Sequence, residues 1–156
     1  KAKNPKFREI WLSHGVNPEC GKYEYVLLPG ISLEKMREYV KDPAVEVLTN
    51  NGDIQAVYNK KSRVTGVVFW KSGTIDGITA HCPMLLMYKK GELLELSFSD
   101  PTQKLTSGKL SIKGRYILCN ENEFVKTKVA KDLTEVSIGF SECFGRTIEL
   151  SLQPGI

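Results

Sequence analysis

The sequence is poor in histidine and cysteine and contains no long apolar run. Two histidines and four cysteines are scattered along 156 residues, without a Cys-x-x-Cys pair or a short Cys/His spacing, so we expect no zinc site and no other metal. The motifs Gly-x-Ser-x-Gly and Gly-x-Gly-x-x-Gly are absent, and we expect no cofactor. No apolar stretch approaches the roughly 20 residues that span a bilayer, so no membrane partner is expected.

The cysteines are predicted to be free, buried thiols that pack like small apolar side chains. They are Cys20, Cys82, Cys119 and Cys143. Disulfide pairing is the alternative for an exported protein, although a chain of this length does not need it.

The charge balance is mildly basic. With 22 Lys and Arg against 18 Asp and Glu, the net charge is +4, which permits a polyanionic partner without requiring one. Nucleic acid is not expected, because the chain has neither a long Lys/Arg run nor an RNP-type aromatic motif. At 41% hydrophobic residues the chain can bury a core. Its length suits one domain, or one domain with part of a neighbour.

One helix is predicted, beginning after Ser32 and ending at Asp42-Pro43. Ser32 can cap it, and Glu34 lies in the first turn, where the helix dipole favours a negative charge. The residue before a proline avoids the helical region, which ends the helix. An apolar stripe at three- and four-residue spacing is expected to pack on a sheet. The stripe consists of Leu33, Met36 and Val40.

Short strands separated by turn signals fill the rest of the chain, which predicts an antiparallel β-sandwich. Asn51-Gly52 predicts one hairpin, and Lys89-Lys90-Gly91 predicts a second. The predicted strands are 45–49, 53–58, 63–70, 84–88, 92–98, 109–112, 115–119, 124–129, 133–140 and 146–152.

A stretch of Gly and polar residues at 72–77 separates two apolar runs and suggests a domain boundary. Residues 1–72, with two further β-type runs at 7–13 and 22–28, are expected to be the end of a larger β-sheet domain. Residues 73–156 are expected to form a smaller β-sandwich. The predicted fold class is therefore all-β with one short helix, an antiparallel β-sandwich preceded by the end of a larger β-sheet domain.

Both ends of the chain resemble polysaccharide lyase family 8, which contains the bacterial chondroitin and hyaluronan lyases. The first end carries His-Gly, Asn-Pro and Tyr-x-Tyr-x-Leu-Leu-Pro in that order. The second end, Phe140 to Leu152, is similar to the final strand pair of chondroitin ABC-type lyases. The resemblance implies a structural motif that closes the family's central sheet domain. Its residues here are His14, Gly15, Pro18, Tyr23, Tyr25 and Pro29.

The resemblance also implies the chemistry of the parent enzyme, a β-elimination at a hexuronic acid that leaves an unsaturated uronate. In the family, the catalytic Tyr, His, Asn and Arg lie on an upstream α/α-toroid domain, and no segment of this chain resembles that region. We therefore expect no catalytic residue here and no lyase activity from this chain alone. His14 is interpreted as a hydrogen-bonded turn residue, and His81 is expected to lack a nucleophile partner.

Polysaccharide contact is the function with most local support. Aromatic faces stack on sugars, while Lys and Arg hold carboxylates or sulfates. The candidate substrate-binding residues are Trp70, Lys71, Tyr88, Lys89 and Lys90, and a further cluster is Tyr58 with Lys60, Lys61 and Arg63. Any one cluster is better explained by solubility, because lysines in turns and edge strands prevent aggregation.

We expect a non-catalytic C-terminal fragment of a secreted or periplasmic bacterial glycosaminoglycan lyase. It would support the upstream catalytic domain of the same chain and contact the polysaccharide, with chondroitin, dermatan and hyaluronan all open as substrates. Two alternatives remain: a stand-alone carbohydrate-binding β-sandwich, and a structural domain that binds another protein.

Overall fold

The computed structural model describes residues 9–141, 143 and 145–155, and its strands form two antiparallel sheets. In chain order the elements are α1 (Leu33–Lys41), β1 (Val45–Asn50), β2 (Ile54–Asn59), β3 (Val64–Phe69), β4 (Gly73–Ile75), β5 (Ile78–Ala80), β6 (Met84–Lys90), β7 (Leu94–Ser99), β8 (Ser107–Lys113), β9 (Tyr116–Leu118), β10 (Val125–Ala130), β11 (Leu133–Gly139) and β12 (Ile148–Pro154). The larger sheet has the strand order β1-β2-β3-β6-β7-β12-β9, and the smaller sheet has the order β10-β11-β8-β5-β4.

The hydrophobic core lies between the two sheets. Successive side chains of a strand point to opposite faces, so Met84, Leu86 and Tyr88 of β6 are buried while Leu85 and Met87 are exposed. The same alternation buries apolar side chains of the other central strands, among them Phe69, Phe98, Leu110, Ile112, Val136 and Leu152. Burial of one such side chain contributes about 1.5–3 kcal/mol. The predicted fold class is confirmed.

The hairpins signalled by Asn-Gly and Lys-Gly are confirmed, because β1 pairs with β2 and β6 pairs with β7. A further hairpin lies where no strand was predicted. β4 and β5 pair within the stretch that was expected to be a boundary. The predicted division of the chain at residue 72 stays a prediction, and the larger sheet continues across that point because β3 pairs with β6.

The segment before α1 contains no strand in the part that the structure describes, residues 9–31. The β-type run 22–28 is therefore not a strand, and the same holds for 9–13, while Phe7 and Arg8 lie outside the described residues. A strand needs a neighbour for its backbone N–H and C=O groups. None of the described strands pairs with this segment.

Helix α1 begins as predicted, since Ser32 Oγ accepts a hydrogen bond from the Lys35 N–H at 3.3 Å. The prediction that its apolar stripe packs on a sheet is wrong for this chain. Leu33 is 65% exposed and Val40 is 72% exposed, because none of the described strands covers that face of the helix. No helix within the described ranges is long and apolar enough to cross a membrane.

The edge strands of the two sheets are short, irregular or charged. β4 and β9 have three residues each. The pairing of β1 with β2 shifts register between Val47 and Thr49, which marks a bulge. β10 carries Lys126 and Lys128 with exposed side chains. Such features discourage pairing with a further strand.

The cysteine prediction is partly wrong. Cys20 and Cys119 are exposed, whereas Cys82 is half-buried and Cys143 is buried. Burial raises the pKa of the Cys82 thiol, which therefore stays protonated at neutral pH.

Candidate functional site

The structure separates the five predicted substrate-binding residues into three places. Trp70 and Lys71 follow β3, while Tyr88 and Lys90 lie at the opposite end of the larger sheet, because β3 and β6 run antiparallel. Lys89 lies on the outer face of β6, opposite to the buried Tyr88. One sugar-binding surface does not contain all five.

Lys71 and Lys89 are each held by a carboxylate at the surface. Lys71 Nζ lies 2.7 Å from Asp53 Oδ1, and Lys89 Nζ lies 3.7 Å from Glu95 Oε2. The hydrogen bond from Lys71 to Asp53 and the charge of that carboxylate raise the pKa of the lysine. Each ammonium already faces a negative charge, so neither pair offers net positive charge to a polyanion.

Tyr88 and Lys90 line a cleft together with residues of other strands and turns. The register of β2, β3 and β6 places Tyr58, Thr65 and Tyr88 side by side, since Tyr58 pairs with Thr65 and Thr65 with Tyr88. Directly opposed side chains on one face lie about 5 Å apart. We call this the tyrosine cleft, and it is lined by Leu48, Tyr58, Arg63, Thr65, Asp76, Tyr88 and Lys90.

Asp76 connects the two sheets at the tyrosine cleft. The Tyr88 hydroxyl donates to Asp76 Oδ2 at 3.1 Å, and Lys90 Nζ lies 2.7 Å from the same oxygen. Lys90 also donates to the backbone carbonyl of Asp76 at 2.9 Å. Burial raises the pKa of Tyr88, Thr65 opposes this through a hydrogen bond, and the Asp76 carboxylate raises the pKa further. The phenol is therefore a fixed hydrogen-bond donor at neutral pH.

Arg63 brings a cation without a carboxylate partner to the cleft. None of the ion pairs among the described residues includes its guanidinium. Arg63 closes the β2–β3 turn, where its backbone N–H donates to the Asn59 carbonyl at 2.8 Å. The turn is further fixed by Asn59 Oδ1, which accepts from the N–H groups of Lys61 and Ser62. These bonds fix the backbone of Arg63, whose side chain lines the cleft.

The backbone of Arg63 is in the left-handed region, with φ 59°. This conformation costs a non-glycine residue about 1–2 kcal/mol, and glycine or asparagine is the usual occupant. The chain nevertheless carries an arginine here.

The predicted structural motif around His14 lies on an exposed segment. The His14 and Tyr23 rings are 6.2 Å apart, and Tyr23 stacks on Tyr25 with centroids 6.2 Å apart. A Cβ on Gly21 would lie 3.1 Å from His14 Cγ, so glycine lets the imidazole pass close to the backbone. Asn50 Nδ2 donates to the Tyr23 carbonyl at 3.2 Å, which ties this segment to β1. Its family role as a motif stays a prediction.

His81 does contact a hydroxyl, contrary to expectation. Its Nε2 lies 2.8 Å from Ser111 Oγ. Ser111 is 30 positions away along the chain, and no local motif connects the two residues. A catalytic triad needs a carboxylate on the second imidazole nitrogen. The nearby Glu135 carboxylate instead accepts a hydrogen bond from Lys109 at 2.6 Å, and this bond with the charge of Lys109 lowers the pKa of Glu135. These contacts cross-link neighbouring strands.

A metal site is not formed by the residues that the structure describes, because their His, Cys, Asp and Glu side chains include no group of three able to hold an ion. Three residues of the tyrosine cleft, Leu48, Thr65 and Asp76, were not among the predicted site residues. Asp76-Gly77 is an Asp-Gly pair, a strong hairpin signal, and it would have placed Asp76 at a turn.

Comparisons with known proteins identify the domain. Residues 46–109 match the model of "Polysaccharide lyase family 8, C-terminal beta-sandwich domain". A xanthan lyase of a Bacillus species is 37% identical over 101 residues, which cover 62% of this chain and 11% of that protein. Hyaluronate lyase HylB of Enterococcus faecalis is 37% identical over 113 residues, which cover 70% of this chain and 11% of that protein. The chain thus spans a small part of the length of these relatives.

A solved structure agrees in fold. A mutant chondroitin AC lyase of Streptomyces coelicolor A3 superposes with a TM-score of 0.78 at 20% identity, over 91% of this chain and 19% of that one. The resemblance of the sequence to polysaccharide lyase family 8 is confirmed. The chain carries the C-terminal β-sandwich domain of polysaccharide lyase family 8.

Proposed function

We propose that this chain is a non-catalytic C-terminal part of a bacterial lyase that cleaves uronic-acid polysaccharides such as chondroitin or hyaluronan by β-elimination. It supports an upstream α/α-toroid catalytic domain of the same chain and contacts the polysaccharide. The names of the relatives, a xanthan lyase and a hyaluronate lyase, support a polysaccharide substrate. A polysaccharide is too large and polar to cross a cell membrane unaided. The proposed location of the enzyme is therefore secreted or periplasmic.

The observation that carries the supporting role is the exposed apolar surface ahead of β1. Trp11 is 78% exposed and Leu27 is 76% exposed, and Leu33 and Val40 of α1 are also uncovered. Monomeric proteins rarely leave large contiguous apolar patches in water, and such patches mark interaction sites. A preceding domain of the same chain would cover these side chains.

In this proposal, the segment ahead of β1 belongs to the central sheet domain. The proposed domain limit at residue 72 assigns β1, β2 and β3 to the central domain. These strands also belong to the larger sheet of the sandwich, so the two domains would have that sheet in common.

Hydrogen exchange tests the supporting role. The amides of residues 10–31 should exchange at once in the 156-residue chain and be protected in a longer lyase chain that contains it. The amides of β6 and β7 serve as the internal control, because they are in the middle of a sheet and should be protected in both. Equally fast exchange of residues 10–31 in both proteins would contradict the proposal.

A direct assay tests the absence of catalysis. The purified chain, mixed with chondroitin sulfate or hyaluronan, should release no unsaturated uronate, which is followed by its ultraviolet absorbance against a boiled control. Product formation above that control would refute the non-catalytic assignment.

A further inference from the structure

The tyrosine cleft has an apolar side and a charged side. Leu48, 42% exposed, and the half-buried Tyr58 supply the apolar side. A pyranose ring carries a face of C–H groups that packs on such a surface, and an aromatic ring suits it well. Arg63, Lys90 and Asp76 supply the charged side. This pairing of surfaces matches one sugar unit that bears an acidic group.

The charges of the cleft favour a single anionic group. Lys90 is neutralised by Asp76 at 2.7 Å, and that carboxylate is also fixed by the Tyr88 hydroxyl. Arg63 is left as the net positive charge of the cleft. A guanidinium offers a planar fork of N–H donors that fits a carboxylate or a sulfate with two parallel hydrogen bonds.

We propose that the tyrosine cleft binds one acidic sugar unit of the polysaccharide through the Arg63 guanidinium. Arg63 donates to the carboxylate or sulfate, Tyr58 packs against the ring, and the Asp76 carboxylate accepts a hydrogen bond from a ring hydroxyl. The inference rests on the proposed function, because it assigns to one cleft the polysaccharide contact that the function requires.

The backbone at Arg63 supports this assignment. Non-glycine residues in strained backbone regions cluster at ligand-binding and active sites. Here the conformation at φ 59° would be relieved by glycine, which has no guanidinium. The chain thus places an arginine side chain at the cleft at a cost in backbone energy.

The test is titration of the 156-residue chain with hexasaccharides, followed by ¹H–¹⁵N chemical shifts. Hyaluronan oligosaccharide carries carboxylates alone, chondroitin sulfate oligosaccharide carries both anionic groups, and chitin oligosaccharide carries neither. Arg63→Gly should weaken binding of the acidic oligosaccharides at least about tenfold, the expected effect of one lost charge-assisted pair. Its melting temperature should equal or exceed that of the parent chain, because glycine accepts positive φ.

A matched control comes from the β10–β11 turn. Lys131 is also a cation with positive φ, 53°, and it lies outside the cleft. Lys131→Gly removes the same charge and the same backbone constraint, so it should change the affinity less than about twofold. Arg63→Lys keeps the charge and loses the planar fork, and an intermediate loss is expected. This second variant tests the cleft even if Arg63→Gly fails to fold.

Each result decides the proposal. Binding of hyaluronan identifies the carboxylate as the bound group, and binding of chondroitin sulfate alone identifies the sulfate. Equal binding of the chitin oligosaccharide, or unchanged affinity in Arg63→Gly, overturns the cleft while the polysaccharide contact of the proposed function stands. If no oligosaccharide binds the parent chain, both the cleft and the polysaccharide contact are wrong, and only the supporting role is left. Lyase activity of the chain would instead refute the non-catalytic assignment without touching the cleft.

Discussion

Replacing Asp100 by asparagine should destabilise the sandwich by about 3 kcal/mol. Asp100 follows β7 and is 7% exposed. Its Oδ1 accepts hydrogen bonds from the backbone N–H and the hydroxyl of Thr102 at 2.8 and 2.7 Å. Its Oδ2 accepts from the N–H groups of Lys104 and Leu105 at 2.9 and 2.8 Å. The carboxylate thus holds the loop between β7 and β8 in one conformation.

The magnitude follows from this arrangement. An asparagine has one oxygen, so in either orientation its amide NH₂ faces the donors on one side of the loop. A hydrogen bond to a charged group contributes about 1.5–3 kcal/mol, and a buried donor left without a partner costs about 1–3 kcal/mol. These terms overlap, which gives the value near 3 kcal/mol. For a chain of this size, the melting temperature should fall by roughly 6–12 °C.

The effect should depend on pH. Burial by itself raises the pKa of Asp100, but the hydrogen bonds from Leu105, Thr102 and Lys104 outweigh it, and the pKa lies below its ordinary value. The folded carboxyl therefore gives up its proton at a lower pH than the unfolded one. The stabilisation is complete above about pH 4 and is lost as the pH falls through the folded pKa. The stability difference between the parent chain and Asp100→Asn should shrink in acid.

The assay is urea unfolding of both proteins between pH 7 and pH 2.5. Asp53→Asn is the control, because Asp53 forms a solvent-exposed ion pair with Lys71, and such pairs contribute little to stability. A stability difference for Asp100→Asn that stays constant down to pH 2.5 would refute the ionised network as its source. A loss no larger than that of Asp53→Asn would refute the role of Asp100 altogether.

Three further predictions concern packing and exposure. Gly108→Ala would place a Cβ 2.6 Å from Phe140 Cε2 and should lower the free energy of unfolding by about 1–3 kcal/mol. Gly66→Ala should be neutral or slightly stabilising, because the nearest atom to its Cβ would lie at 3.8 Å. Thermal unfolding measures both variants. Phe98→Ala, at a side chain 1% exposed, should lose about 3–5 kcal/mol in urea unfolding, and a loss below 1 kcal/mol would contradict its place in the core. Trp11→Ser should leave the melting temperature unchanged and lower the binding of a hydrophobic dye, because the indole is 78% exposed; a lower melting temperature would show that the indole packs on the sandwich.

The local features of the fold were predictable because their causes are local. Asn51-Gly52 specifies a hairpin by its backbone preference, and Ser32 specifies a helix start through its own hydroxyl. The same reasoning was wrong for residues 22–28. Their composition favours a β-strand, but none of the described strands lies beside them to accept and donate the backbone hydrogen bonds. Composition shows that a segment can pair, and only the tertiary structure shows whether a neighbour is present.

The candidate site depended on contacts that are distant along the chain. Tyr88 and Lys90 were identified from residue type alone, but their partner Asp76 reaches them from the other sheet. Trp70 and Lys71 also combine an aromatic residue with a lysine, but they lie at the far end of β3. The register between β3 and β6 separates the two clusters, and no residue in either cluster reveals that register.

The edge strands bear on how this domain behaves near its proposed substrate. A long polysaccharide gathers many enzyme molecules, so their local concentration on one polymer is far above that in the surrounding solution. Two exposed sheet edges that could accept another strand would then join neighbouring copies. Among the described residues, each sheet edge is a poor template for a further strand, because β4 and β9 have three residues each, β1 has a bulge and β10 carries exposed lysines. Strand pairing between copies of this domain that gather on one polymer is therefore disfavoured.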